Sequence, residues 1–527
     1  MDFTIIDGTI VDGTGRPGYR ADLAVEGETI AAIGPGLPRR GQVIDARGQV
    51  VAPGFIDMHS HTALAGLVDL KLEAKTRQGI TTEVTGPDGY SAAPIRPGDI
   101  PTWRTHLSGL EGDPTIEWDW TSFESYRGRL RGTSTNWAPL VGHGNLRLAV
   151  MGMENRRPTE SELRQMCNLL EVCFHEGALA LSTGLIYTPQ AYGDLDELVA
   201  LGRVVARHGS FFDFHMRTQA AHIQRAVEEV LEVGRRSGCA VHICHFQLAA
   251  REMWGRVGQV VEAIESARRS GVEVTCDQHP YTAGSTMLSA LLPPWAHAGG
   301  PGRLRELLKS RADRPRLERD TVEGLPPTWE SRFQTAGAEN IYVSYVKSEA
   351  NAGVVGRSLA DIATDWSESP FDVVVRLLLE ENFAVGMILF QLSEPDVEEI
   401  MRLPWQMFCS DAVLIGRPHP RAYGSYPRIL GRYVRERGVL TLEDAVRKCT
   451  SAPAARLGLK DRGVLEPGKV ADLVLFHPNR VVDRATYEDP RQYPLGIGHV
   501  FVNGRPVISG GEHTGELPGR ALQAGRR

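Results

Sequence analysis

Short apolar runs alternate with longer stretches whose apolar positions recur every three or four residues along most of this 527-residue chain. The first pattern marks buried strands and the second amphipathic helices. Strands are predicted near 50–58, 81–86, 137–142, 178–184, 211–214, 240–244, 272–276 and 406–409. Helices are predicted over 63–78, 159–176, 195–208, 219–237 and 252–269, with Gly79, Gly177, Gly209, Gly238 and Gly271 just past their ends. Eight strands separated by helices predict an α/β fold, a (β/α)8 barrel of TIM type.

Both chain ends carry another pattern. Phe3-Thr4-Ile5-Ile6, Ala21-Asp22-Leu23-Ala24-Val25 and Thr29-Ile30-Ala31-Ala32-Ile33 read as short strands between Gly turns. Ala471-Asp472-Leu473-Val474-Leu475-Phe476 and the Asn503-Gly504 hairpin read likewise. Neither end has enough strands for a stable sheet alone. The pattern predicts a small β-sandwich from residues 1–53 and 452–527, with the barrel over 54–451 between them. The stretch of about 287–405 is far too long for a βα loop and predicts an inserted lid or subdomain, with helices near 369–382 and 394–402.

Hydrophobic residues make up 42% of the chain, enough for a large core. The net charge is −7 with no basic block, which argues against nucleic acid as a partner. Seven cysteines without a Cys-x-x-Cys pair point to a reducing compartment. The opening Met1-Asp2-Phe3-Thr4-Ile5-Ile6-Asp7 lacks signal-peptide character, and no apolar run is long enough for a membrane span. A cytoplasmic protein without membrane contact is expected.

Strand after strand ends in a polar group. His59 and His61 end the first, Asp88 follows the second and His143 the third. Ser182-Thr183 ends the fourth, His215 the fifth and His245 the sixth; Asp277 and His279 close the seventh and Asp411 the eighth. Active sites of such barrels lie at the C-terminal mouth of the strands. Histidines and carboxylates gathered there suit a divalent metal. Such an ion lowers the pKa of bound water to about 7 and polarises a carbonyl. Asp411 beside that water would move its proton. His242 is expected to point away from the site and His222 to lie at the surface. The single Gly-x-Gly-x-x-Gly, Gly13 to Gly18, opens no predicted helix and reads as a turn.

The stretches Ala52-Pro53-Gly54-Phe55-Ile56-Asp57-Met58-His59-Ser60-His61, Leu181-Ser182-Thr183-Gly184, Phe214-His215-Met216-Arg217, Pro280-Tyr281-Thr282-Ala283-Gly284-Ser285 and His419-Pro420-Arg421-Ala422-Tyr423-Gly424 resemble the amidohydrolase superfamily, and within it the N-acyl-D-amino-acid deacylases. The resemblance covers nearly the whole chain. It implies hydrolysis of an amide C–N bond in a small-molecule substrate and one tightly held Zn2+. His215 and His245 match two ligands of that ion. Asp88 stands where the family carries a cysteine. A carboxylate is harder than a thiolate, so Mn2+ or another divalent ion and a bridged second metal become open. His59, His61 and Asp411 match the weaker metal position, with Asp411 as general acid/base. His143, Arg217, Gln247, His279, Tyr281, Ser285 and Arg421 are the expected substrate contacts. Gln247 replaces a family lysine and His279 a family tyrosine. Hydrolysis of another amide, a cyclic amide, a lactone or an ester on the same site stays open, as does a metal-poor binding protein.

Overall fold

The computed structural model describes residues 3–39 and 41–524; the outermost parts of the predicted terminal domain, residues 1–2 and 525–527, lie outside the described residues, as does residue 40. Eight parallel strand positions follow one another: Phe55–His61, Ile80–Thr85, Asn136–Pro139 continued by Val141–Gly142, Leu181–Gly184, Phe211–His215, Ala240–Ile243, Val274–Gln278, and Gln406–Phe408 continued by Ala412–Val413. Each pairs in parallel with the next. The last position closes the ring. Gln406–Phe408 pairs with the seventh strand and Ala412–Val413 with the first. Strands buried on both faces need apolar side chains on both, which is why Phe211-Phe212-Asp213-Phe214 shows no alternation.

Amphipathic helices connect these strands. Ile223–Ser237 buries Ile223, Ala226, Val227, Val230, Leu231, Val233 and Gly234, one stripe of the helical period. It ends at Gly238 in the left-handed region (φ 75°), where a side chain would be strained. Glu160–His175 begins with a reciprocal cap between Thr159 and Glu162.

Two predicted elements are corrected. The run 50–58 is two strands: Val50–Pro53 pairs antiparallel with Leu473–Phe476, and Phe55–His61 enters the ring. The break is Gly54, where a Cβ would stand 2.3 Å from the Thr81 side chain. The predicted helix 63–78 shrinks to short turns at Ala65–Leu67 and Glu73–Thr76, with Leu72 at φ 43° between them. Lys75 is drawn beneath the first strand by buried polar partners, and these contacts override helical periodicity.

Both chain ends join one nine-stranded sheet. Its strand Leu473–Phe476 serves two cores by alternation. Leu473 and Leu475 pack with Phe3, Ile5, Leu23 and Phe501. Val474 and Phe476 pack with Phe55, Tyr426 and Ile429, joining the sheet to the ring. Between the seventh and eighth positions, Ala283–Met287, Val385–Phe390 and Ile341–Val346 form a separate antiparallel sheet over its own apolar core. This unit begins slightly before the expected residue 287. Among the described residues, no helix is long and apolar enough to cross a membrane.

Candidate metal centre

The strand ends bring six predicted residues together. Asp88 Oδ1 lies 3.3 Å from His215 Nδ1, 3.4 Å from His245 Nε2 and 3.7 Å from His59 Nε2. Asp88 Oδ2 lies 3.6 Å from His61 Nε2. Asp411 Oδ1 is 3.7 Å from His59 Nε2 and 3.5 Å from His61 Nε2. The two imidazoles of the first strand approach to 3.2 Å. All six residues are buried.

The spacings carry chemical information. Ordinary hydrogen bonds in proteins span about 2.7–3.2 Å. Most of these contacts are longer. Ligands about 2.0–2.3 Å from one tetrahedral ion stand roughly 3.3–3.8 Å apart. The donor atoms of His59, His61 and Asp411 form one compact set, and those of His59, Asp88, Cys244 and His245 another. Asp88 Oδ1 faces His59, His215 and His245, and its Oδ2 faces His61. Each histidine turns one ring nitrogen to the carboxylates: His59 Nε2, His61 Nε2, His215 Nδ1 and His245 Nε2. The donor set fits a divalent ion.

The backbone is bent to make the cluster. Asp88, His245 and Asp411 have φ values of 56°, 32° and 49°, a region costly for residues with a Cβ. Three left-handed non-glycine residues at one mouth show local strain offset by the surrounding fold.

Electrostatics favour a cation there. Burial works against the Asp88 and Asp411 carboxylates, but nearby histidines, and Arg421 for Asp411, hold both well below the usual range. Burial also works against a charged His61, yet the Asp411, Glu111 and Asp88 carboxylates raise it to about 10. Burial lowers His59 and His215 to about 4, whereas burial works against a charged His245 but the Asp88 and Asp411 carboxylates raise it, so His61 and His245 give up a proton when they ligate a metal.

Several supporting residues escaped the sequence reading. Lys75 Nζ donates to Asp57 Oδ2 at 2.7 Å, Ser410 Oγ at 2.7 Å and Ser60 Oγ at 2.8 Å, and stands 3.3 Å from Glu83 Oε2. This lysine lies under both His59-Ser60-His61 and Ser410-Asp411. Glu111 Oε1 stands 3.7 Å from His61 Nδ1. Gln219 Nε2 meets His245 Nδ1 at 3.0 Å, and the His245 backbone N–H donates to Asp277 Oδ1 at 2.6 Å. The alternation of Asp57, His59 and His61 was the available signal for Asp57. Nothing local distinguishes Lys75 or Glu111 from surface charges.

The expected substrate contacts divide. Arg421 is fully buried, with Nη1 2.7 Å from Asp411 Oδ2 and Nη2 donating to Ser285 O at 3.1 Å. Gln247 donates to Gln219 Oε1 at 2.8 Å. His279 is buried with neither ring nitrogen hydrogen-bonded, and Tyr281 lies beneath the Arg428 guanidinium. Two residues are otherwise engaged. His143 meets Thr183 Oγ1 and Glu197 Oε1 with its two nitrogens. Arg217 donates to Glu229 and to the carbonyls of Ala191 and Gly193. Arg217 does line a cavity of about 890 Å³ with His222, Glu330 and Trp329, but none of the six clustered residues lines it. His222 precedes its helix and pairs with Glu330 at 3.0 Å. His242 meets Thr275 Oγ1 at 2.7 Å and Asp277 Oδ2 at 2.9 Å, the carboxylate whose other oxygen takes the His245 backbone N–H.

Comparison with known proteins decides the family. Residues 42–315 and 330–508 match the amidohydrolase family. The chain belongs to that family. This amidohydrolase is 36% identical to a D-aminoacylase of Alcaligenes xylosoxydans xylosoxydans, covering 99% of this chain and 97% of that one. Its fold matches N-acyl-D-glutamate deacylase from Bordetella bronchiseptica, solved with zinc and a phosphonate mimic of the tetrahedral intermediate. The TM-score is 0.85 at 37% identity, over 99% of this chain and 100% of that one. A D-aminoacylase structure described by its binuclear metal centre, with one-metal activation and second-metal attenuation, aligns at TM-score 0.81 and 34% identity, over 99% of each chain.

Proposed function

We propose that this amidohydrolase cleaves the amide of N-acyl-D-amino acids, giving a carboxylate and a D-amino acid. The observation that carries the reading is the buried set of His59, His61, Asp88, His215, His245 and Asp411, whose ring nitrogens and carboxylate oxygens converge at 3.3–3.7 Å. In this reading the closed ring is a TIM-type (β/α)8 barrel over residues 54–451. The sheet of both chain ends is a β-sandwich over 1–53 and 452–527, and the unit within about 287–405 is an insertion. Relatives of matching length that act on N-acyl-D-amino acids support the substrate class.

Zn2+ is the first expected ion, which Asp88, His215 and His245 would hold, and His59, His61 and Asp411 would hold a second divalent ion. When bound, the metal supplies an activated water and polarises the attacked carbonyl. Asp411 accepts the proton of the attacking water at a carboxylate oxygen and returns it to the leaving nitrogen. Arg421, against Asp411, offers a buried cation to the substrate carboxylate beside the reacting amide. Gln247 and His279 shape the rest of that end, where a family lysine and tyrosine are absent. His143 and Arg217 hold the walls through Glu197 and Glu229 rather than touching substrate. Seven unpaired cysteines support a reducing, cytoplasmic setting.

The test is a hydrolysis panel of N-acetyl-D- and N-acetyl-L-amino acids, dipeptides, lactones and esters, with metal analysis of the same protein. Expected are at least one equivalent of metal, free amine from D-substrates, and loss of turnover on chelation with recovery on adding Zn2+. Turnover that survives complete metal removal, or inactivity on every N-acyl-D-amino acid, overturns the reading.

A further inference from the structure

We propose that Cys244, just past the sixth strand, is a thiolate ligand of a metal ion held with His59, Asp88 and His245, supplying the sulfur that Asp88 does not. The inference rests on the metal reading above and extends it to a residue outside the resemblance. Cys244 Sγ lies 3.6 Å from Asp88 Oδ1 and 3.7 Å from His245 Nε2. With His59, these three groups form a set whose donor atoms all lie within 4.8 Å of one another, and all four residues are buried. The edge of a tetrahedron of ligands at about 2.0–2.3 Å is roughly 3.3–3.8 Å, and the spacings around Asp88 Oδ1 fall in that range.

Two further observations separate Cys244 from an ordinary core cysteine. Among the described residues the other six cysteines belong to apolar clusters, and Cys244 does not. The backbone also turns at this point. Cys244 N–H still pairs with Phe214 O of the fifth strand, and His245 then takes φ 32°. Successive residues of a regular strand point to opposite faces. The left-handed turn instead brings the two side chains to one place.

Ligation breaks the S–H bond, forms a sulfur–metal bond and releases the proton to solvent. Thiolate and Asp88 together then balance the charge of a divalent ion. A sulfur ligand restores the bias toward zinc over manganese that a carboxylate alone weakens.

Cobalt tests this in the full-length protein. Co2+ is added to metal-depleted protein and its spectrum is followed beside metal content. Expected is a near-ultraviolet thiolate-to-cobalt charge-transfer band that Cys244→Ser abolishes while about one cobalt still binds. Zinc affinity should fall by about 100-fold or more, beyond the 10–100-fold typical of outer-shell partners. X-ray absorption on the unaltered zinc protein is the second measurement, with sulfur expected at about 2.3 Å. Cobalt uptake without the band, a band that survives Cys244→Ser, or a zinc shell of nitrogen and oxygen alone overturns the Cys244 assignment while leaving the metal reading intact. No cobalt or zinc uptake at all overturns both.

Discussion

Replacing Lys75 by Met isolates the buried charge that supports the metal cluster. Methionine keeps much of the length of lysine and removes its ammonium. Asp57 and Glu83, 2.7 and 3.3 Å from that ammonium, then lose their cation in a fully buried place. Burial already pushes the Asp57 carboxyl up against the pull of Lys75. Breaking a buried ion pair costs about 3–5 kcal/mol, because the remaining charge is left uncompensated. Unfolding entropy is about 2.1 cal/mol/K per residue, so this chain gives roughly 1.1 kcal/mol/K if it melts as one unit. The expected fall in Tm is therefore about 3–5 °C, read by calorimetry on metal-free protein. The double variant Lys75→Met, Asp57→Asn should recover part of the loss, because the two residues share one interaction. Metal affinity should fall as well, since Lys75 holds Ser60 between His59 and His61 and Ser410 beside Asp411. A Tm within about 1 °C of the parent would refute the argument, because a 3 kcal/mol loss cannot hide in so small a shift.

Three other outcomes follow from the site and the core. Asp411→Asn should bind metal yet lose kcat by about 10²–10⁴-fold, the range of general acid–base catalysis; near-normal kcat on the best panel substrate removes Asp411 from proton transfer. Gln247→Lys places a cation where Gln247 now meets Gln219, and it should lower KM for N-acyl-D-amino acids by about tenfold through a charge-assisted bond; an unchanged KM shows that the carboxylate does not reach that position. Metal-free protein should lose stability as pH falls from about 6.5 to 5. Burial holds His106 at about 3 and His297 at about 4, whereas an unfolded histidine takes its proton near 6.5. The unfolded chain thus binds more protons in that window, and each such histidine costs about 1.4 kcal/mol per pH unit. Equal urea midpoints at pH 6.5 and 5 contradict this, and His106→Phe should flatten the slope.

The order of ring strands and the polar groups at their ends were legible in the chain, because period and turn chemistry are local properties. His59, His61, Asp88, His215, His245 and Asp411 each followed a predicted apolar run, and the structure gathers all six. The partners of the expected substrate contacts were less legible. His143 and Arg217 sit where the sequence placed them, but Glu197, 54 residues from His143, and Glu229, in the helix after Arg217, take up their polar groups. No local pattern announces such partners.

Tertiary structure alone decided which charges are buried and which neighbours face one another. Lys75 and Glu111 are buried by the fold, Lys75 against Asp57 and Glu111 beside His61. Cys244 read as one scattered cysteine until the turn at His245 set its sulfur against Asp88. One apolar run divides between two sheets at Gly54, where the Thr81 side chain leaves no room for a Cβ. The sequence determined the family, the strand order and most of the candidate ligands, since these follow from periodicity and motif. Packing determined the charge balance and geometry of the centre, since these depend on atoms brought together from positions as far apart as Asp57 and Ser410.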